Sequence, residues 1–123
     1  MLTLVPSKDM KTIAVEIEGR VNEDDLLKLD KVIQEKFADK GEFNVYAILY
    51  YFEGPSFKAL VEEMKIDVKR WSQYNKLAVI SDDKKIEKFV EAGDLLPSVK
   101  TKHFGIDQME AGWEWISEEM SQM

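Results

Sequence analysis

The chain has 123 residues, no cysteine, a single histidine, and 24 acidic against 17 basic side chains, for a formal charge of −7. The missing cysteine removes disulfides, thiolate zinc sites and a cysteine nucleophile together, and a net negative charge argues against nonspecific nucleic-acid binding, which basic charge drives. A chain of this size buries around two-thirds of its unfolded surface, enough for one core and too little for two, so residues 1–123 read as a single domain.

Leu2 and Leu4 begin a short strand that Pro6-Ser7-Lys8-Asp9 ends. Ile13, Val15 and Ile17 then alternate with Thr12, Glu16 and Glu18, the period of a strand with one wet face. Six residues separate the two runs, so an antiparallel hairpin is the economical connection, closed at Gly19. Asn22 is placed to cap a helix whose first turn carries Glu23, Asp24 and Asp25. Leu26, Leu29, Ile33 and Phe37 share one face of it, and Lys40-Gly41 reads as its stop.

Phe43 to Phe52 is almost unbroken apolar and aromatic, the pattern of a strand covered on both faces with parallel neighbours. Leu77–Ile80 is a second such run, and Val99–Phe104, with Lys100 and Lys102, suits an edge strand protected by charge. Helical stretches follow each of these strands: Pro55 to about Trp71, Asp83 to Glu91 and Gln108 to Met120. Asp107 and Glu110 read as a capping box before the last. The predicted order is β-β-α-β-α-β-α-β-α. This is an α/β fold with a five-stranded, mostly parallel mixed sheet, an N-terminal antiparallel hairpin and four helices.

Chemistry-bearing motifs are sparse. There is no G-x-G-x-x-G, no phosphate-binding G-x-x-x-x-G-K-[ST] and no G-x-S-x-G elbow. A serine nucleophile would need His103, which sits on the expected edge strand beside Lys102 and reads as a partly exposed strand residue. The paired acids Asp24-Asp25, Glu62-Glu63, Asp82-Asp83 and Glu118-Glu119 do not converge unaided, since neighbours on a helix point about 100° apart. Asp82-Asp83 follows a buried parallel strand, where α/β sites tend to lie. The same pair also reads as ordinary helix capping. No metal site, cofactor or catalytic residue is expected.

Two features stand out. The turn Phe52-Glu53-Gly54-Pro55-Ser56 leaves the central strand with free backbone N–H groups, so Gly54 and Ser56 are candidates for an anion or phosphorylation site, or for plain first-turn residues. The following helix sets Phe57, Leu60, Val61, Met64, Val68 and Trp71 on one face. That face either packs on the sheet or borders a ligand. A Met and aromatic surface repacks around varied partners, and Trp71 beside Lys69-Arg70 is the kind of end that rests at a lipid interface. Residues 56–72 hold four basic against three acidic side chains, unlike the acidic remainder. The expected contact with a lipid or membrane therefore runs through Phe57, Leu60, Met64, Val68 and Trp71.

Gly19-Arg20-Val21-Asn22-Glu23-Asp24-Asp25, the Phe52-Glu53-Gly54 turn after an aromatic strand, the long helix ending near Trp71 and the terminal Ala111-Gly112-Trp113-Glu114-Trp115-Ile116 together resemble the stage II sporulation protein AA-like family. These bacterial proteins are related to the STAS domains of anti-sigma-factor antagonists. The resemblance implies a STAS-like fold, similar also to the CRAL-TRIO fold, and a non-enzymatic role with apolar-ligand binding and membrane association. True antagonists carry a phosphorylated Asp-Ser at the turn that here reads Glu53-Gly54-Pro55-Ser56. Two functions are therefore expected as alternatives: a module holding a small apolar or amphipathic ligand, with peripheral contact at the inner face of the membrane, or a regulatory domain binding a protein partner. The expected location is the cytoplasm. No run reaches the ~18 apolar residues of a membrane span, and Met1–Val5 is too short for a signal core.

Overall fold

The structure is a computed structural model that describes residues 1–38, 41–52, 72–92 and 99–118, at position 52 the backbone only. Five strands form one sheet in the order β1-β2-β3-β4-β5: β1 (Leu2–Val5), β2 (Thr12–Gly19), β3 (Phe43–Phe52), β4 (Tyr74–Ile80) and β5 (Lys100–Phe104). β1 runs antiparallel to β2, and every other pair is parallel. Phe43–Tyr51 is thus central and Lys100–Phe104 an edge, as expected. The described helices are α1 (Glu23–Phe37), α2 (Lys84–Ala92) and α3 (Met109–Ser117), the last preceded by a 3-10 turn at Ile106–Gln108. Four helices were expected and three are described. The Pro55–Trp71 helix lies outside the described residues, as does Met120 at the expected end of the last helix.

The connections β2 to β3 and β4 to β5 each move one place in the same direction across the sheet, so right-handed crossovers put α1 and α2 on one face. α1 and α2 obey this, burying Leu29, Ile33, Ile86 and Val90 against β-branched and leucine side chains such as Val15, Val45, Leu77 and Val79. α3 follows the last strand and folds back on the other face, against Ala14, Tyr46, Ile48, Ala78, Ile80 and Phe104. Gly112 lets it lie close: a Cβ there would stand 3.0 Å from Ile80 Cδ1 and 3.1 Å from Tyr46 Cε2. The Tyr46 ring stacks on Trp113, with centroids 3.9 Å apart and planes 11° apart, and its hydroxyl donates to Met109 O at 3.0 Å.

Helix ends follow the sequence in part. Asn22 caps α1 reciprocally with Asp25: the Asp25 N–H donates to Asn22 Oδ1 (2.9 Å) and the Asn22 N–H to Asp25 Oδ2 (3.0 Å). Burial works to raise the Asp25 pKa, but backbone N–H groups of Asn22 and Leu2, the amino terminus and Lys28 hold it below the usual value. The other end differs from expectation. The chain leaves α1 at Ala38, with φ 54° and ψ −146°, and Gly41 is not left-handed. Gly41 is needed for closeness instead, since a Cβ there would meet Phe37 O at 3.1 Å. The Asp107–Glu110 capping box does not form. Gln108 Oε1 takes the Gly105 N–H (2.8 Å) and Asp82 Oδ1, reaching from the end of β4, takes the Ile106 N–H (3.0 Å). The cap comes from across the sheet, which local spacing cannot report.

Candidate functional site: the C-terminal rim of the sheet

Ligands of α/β proteins sit beyond the C-terminal ends of parallel strands, most often where strand order reverses. Here the order never reverses, so the parallel strands have no switch-point crevice of the dinucleotide-binding kind. What the rim offers must come from individual strand ends.

At β4 and β5 the rim is closed by its own hydrogen bonds. Ser81 Oγ accepts from the Asp83 N–H (3.0 Å), and Asp83 Oδ1 accepts from the Lys85 N–H (2.8 Å), capping α2. Asp82 holds Ile106 as described, so the Asp82-Asp83 pair is structural, in line with the capping reading. His103 Nε2 lies 2.6 Å from Ser81 O, which fixes that nitrogen as the donor, and Nδ1 faces Glu87 Oε2 at 4.0 Å. The imidazole is more enclosed than a partly exposed edge residue would be, with 11% of its side chain accessible. Its Nε2 proton is held by a backbone carbonyl, which orients the ring with Nδ1 toward Glu87.

At β3 the rim is different. Register runs Ile17↔Leu49 and then Glu18↔Tyr51, so Tyr50 is an extra residue, a bulge in a parallel pair where bulges are rare. Pairing with β4 has already stopped at Ile48↔Ile80. Sequence led us to expect both faces of Phe43–Phe52 to be covered; that holds through Leu49 and fails at Tyr50 and Tyr51, which are 48% and 59% exposed. The bulge resets the alternation. Tyr51 shares the face of its partner Glu18, the same face as Ala14 and Glu16, which is the α3 face. Tyr50 lies near the Tyr46 hydroxyl on that face. Burial first, then Tyr50 and Glu110, push the Tyr46 pKa up to about 12. Two tyrosines thus stand on a corner of the sheet that α3 leaves uncovered, beside Thr3, Glu16 and Glu18.

The opposite end of the strands is sealed, through residues that sequence reasoning missed. Register between β3 and β4 slips between Phe43 and Val45. Asn44 Oδ1 fills the gap by accepting from the Lys76 N–H and Asn75 Nδ2, both at 3.2 Å. Lys76, only 1% exposed, donates from Nζ to Trp115 O (2.9 Å) and Glu118 O (2.6 Å), closing the C-terminus of α3, and stands 5.2 Å from the Trp115 ring centre. Burial lowers the Lys76 pKa, Glu118 opposes this and Lys100 adds to it. The only prior signal was a lysine directly before the apolar run Leu77–Ile80.

The expected ligand residues Phe57, Leu60, Met64, Val68 and Trp71, and the turn residues Gly54 and Ser56, lie outside the described residues. They belong to the segment that leaves β3 just after Tyr50 and Tyr51. Among the described residues, no three His, Asp or Glu side chains group to hold a metal, and no helix is long and apolar enough to cross a membrane.

Strand order, the antiparallel first strand and the helix distribution define a STAS-type α/β domain. Residues 12–117 match the SpoIIAA-like family, and the chain belongs to that family. Its fold is similar to that of an uncharacterized DUF3478-family protein with a SpoIIAA-like fold from Shewanella loihica PV-4, with a TM-score of 0.70 over 94% of this chain and 92% of that one, at 15% identity. No curated protein matches the chain.

Proposed function

We propose that the chain is a non-enzymatic binding module that holds a small apolar or amphipathic, lipid-like molecule between the sheet and residues 55–71, with peripheral membrane contact. The observation that carries this is the Tyr50–Tyr51 bulge, which spends two large aromatic side chains on exposure at the end of the central strand. Bulges in this position typically re-aim side chains toward a site. The second wall is assigned to Phe57, Leu60, Met64, Val68 and Trp71. A role without catalysis is supported by the use already made of the nearby acids: Asp82 and Asp83 accept from backbone N–H groups.

Native mass spectrometry of the chain purified gently from its host tests the reading. A retained lipid-sized mass, lost in a Tyr50→Ser, Tyr51→Ser double variant, is the expected result. A lipid-free chain carrying a stoichiometric protein partner, released by substitution at Gly54 or Ser56, would instead favour a STAS-type regulatory interaction domain related to anti-sigma-factor antagonists.

A further inference from the structure

The sheet has two edges, and one ladder bond at each shows which backbone groups turn outward. At β1 the Glu18 N–H donates to Met1 O (2.9 Å). Alternate residues of a strand turn the same way, so Leu2 and Leu4 direct their N–H and C=O groups away from β2. Leu2 O already accepts from Lys28 Nζ (3.2 Å), and Pro6 follows the strand directly. That edge is short and guarded. At β5 the Ser81 N–H donates to Phe104 O (2.9 Å). Lys100, Lys102 and Phe104 therefore bond toward β4, while the backbone of Thr101 and His103 turns outward. Thr101 Oγ1 donates to Val99 O at 3.4 Å. Among the described residues nothing pairs with the outward N–H and C=O groups of Thr101 and His103.

The two faces beside this edge differ in charge. Lys100 and Lys102 stand exposed on the α3 face, in line with Phe104. Lys102 Nζ lies 5.5 Å from the Phe104 ring centre, and among the described residues neither lysine pairs with a carboxylate. Glu118, at the end of α3, acts on the buried Lys76, which also bonds its carbonyl oxygen. On the α2 face Glu87 lies 4.0 Å from His103 Nδ1 and 3.9 Å from Lys84 Nζ, so a further acid there meets a carboxylate already in place. A second copy of β5 would bring its own lysines against Lys100 and Lys102, and like charges side by side disfavour that pairing.

We propose that β5 is a docking edge for an extended acidic segment of a partner protein. The segment adds a sixth strand to the five, bonds Thr101 and His103 through its backbone, and sets alternate carboxylates beside Lys100 and Lys102. The residues between those carboxylates are uncharged, because they share the face of Glu87. This surface lies on the outermost strand, away from the Tyr50–Tyr51 rim, and does not rest on the binding reading above.

The test uses the isotope-labelled full chain and short capped peptides that alternate glutamate with valine and threonine, or carry glutamine or lysine in place of glutamate. In the free chain the Thr101 and His103 amides should exchange faster than those of Lys102 and Phe104, which bond β4. The glutamate peptide is expected to slow Thr101 and His103 about tenfold, with less change at Lys102 and Phe104. It should bind about tenfold tighter than the glutamine peptide, with the lysine peptide weakest. Lys100→Gln, Lys102→Gln should erase that preference. The charge-matched Lys31→Gln, Lys88→Gln, on exposed positions of α1 and α2, should keep it. N-methylating one alternate set of peptide residues should abolish binding, and methylating the other set should spare it. Binding without protection of Thr101 and His103, equal binding of the three peptides, or an equal loss in the control overturns the docking edge. No protection by any peptide at millimolar concentration also overturns it. If phosphatidylglycerol vesicles then bind the parent and not the Lys100→Gln, Lys102→Gln variant, the lysines belong to a membrane surface.

Discussion

β3 is irregular at both ends, and the two irregularities are treated in opposite ways. At its N-terminal end the slip against β4 is filled: Asn44 accepts the Lys76 and Asn75 donors, and Lys76 reaches on to the last carbonyls of α3. At its C-terminal end the bulge against β2 leaves Tyr50 and Tyr51 on the surface. A buried register defect must satisfy every polar group it frees, because each orphan costs about 1–3 kcal/mol. Among the described residues no buried side-chain nitrogen or oxygen lacks a partner. A defect at an exposed rim has no such obligation, because water completes the polar groups it frees. One end of the sheet thus carries stability and the other carries exposure.

The sealed end should show the largest loss when broken. Lys76→Ala removes a buried stem and orphans Trp115 O and Glu118 O, for an expected cost of roughly 2–5 kcal/mol by urea unfolding. Lys76→Met keeps the stem and isolates the charge. The Lys76 pKa is lower in the folded chain than the ~10.4 of an unfolded lysine, so between those values the unfolded chain binds the extra proton and stability rises with pH. Lys76→Met should flatten that rise. Tyr46 acts in the opposite sense and later. Its pKa of about 12 lies above the ~10 of an unfolded tyrosine, so the stability it contributes is complete below ~10 and is lost as pH climbs toward 12. Unfolding measured from pH 8 upward in parent and Lys76→Met separates the two limbs.

Gly112→Ala comes next. Its Cβ would press on Ile80 and on a Tyr46 ring already stacked against Trp113, so the neighbours cannot yield freely. Overpacking of about 1–3 kcal/mol, less the ~1 kcal/mol that alanine gains over glycine in a helix, leaves a net loss of about 1 kcal/mol. A gain would mean that α3 sits more loosely on the sheet than its ring contacts indicate.

How far the sequence spoke for itself follows the same division. The strands, their order and the central place of Phe43–Tyr51 were legible because burial on two faces demands an unbroken apolar run, and α1 was legible because Asn22 and Asp25 cap within three residues of each other. What was not legible depends on partners distant in the chain. Asp82 caps the turn at Ile106 from 24 residues away, and Asn44 holds Lys76 across 32. The exposed tyrosines were hidden by their composition: Tyr50 and Tyr51 continue the apolar run of β3, and only the bulge opposite Glu18 turns them outward. Ala38 also evaded the reading, because a positive φ calls for glycine and the nearby Gly41 drew the assignment to itself.

Ala38 offers a change of opposite sign at the sealed end. Its carbonyl and that of Gly41 accept from Gln73 Nε2, at 3.1 and 2.7 Å, which holds the chain in a conformation that suits glycine. Relieving a strained φ exceeds the added chain entropy of glycine, so Ala38→Gly should stabilise by about 0.5–1 kcal/mol. A raised urea midpoint with an unchanged slope is the expected signature.

The smallest effect on stability belongs to the open rim, and it is the most informative about function. Tyr50 and Tyr51 are more exposed than any other strand aromatic described, so replacing either by serine removes less buried area than at any of those positions. A tyrosine does favour a strand, but that preference reflects packing against neighbours, and these rings have given up much of theirs to solvent. Each change should therefore move stability by no more than about 0.5 kcal/mol. If both rings are present for the ligand, the same substitutions must weaken amphiphile binding while the unfolding curve barely shifts. If they instead anchor the rim, stability falls by the 1 kcal/mol or more typical of a lost core contact, and binding follows only as a consequence. Amide exchange distinguishes the two without a ligand. The β3 amides at Val45–Leu49, between the buried faces, should exchange only through global unfolding, and Tyr50–Phe52 through a cheaper local opening. Serine at 50 or 51 should accelerate exchange at the rim alone. Acceleration spreading back to Val45 would show that the bulge is part of the core, and the contrast between the two ends of β3 would then be one of degree.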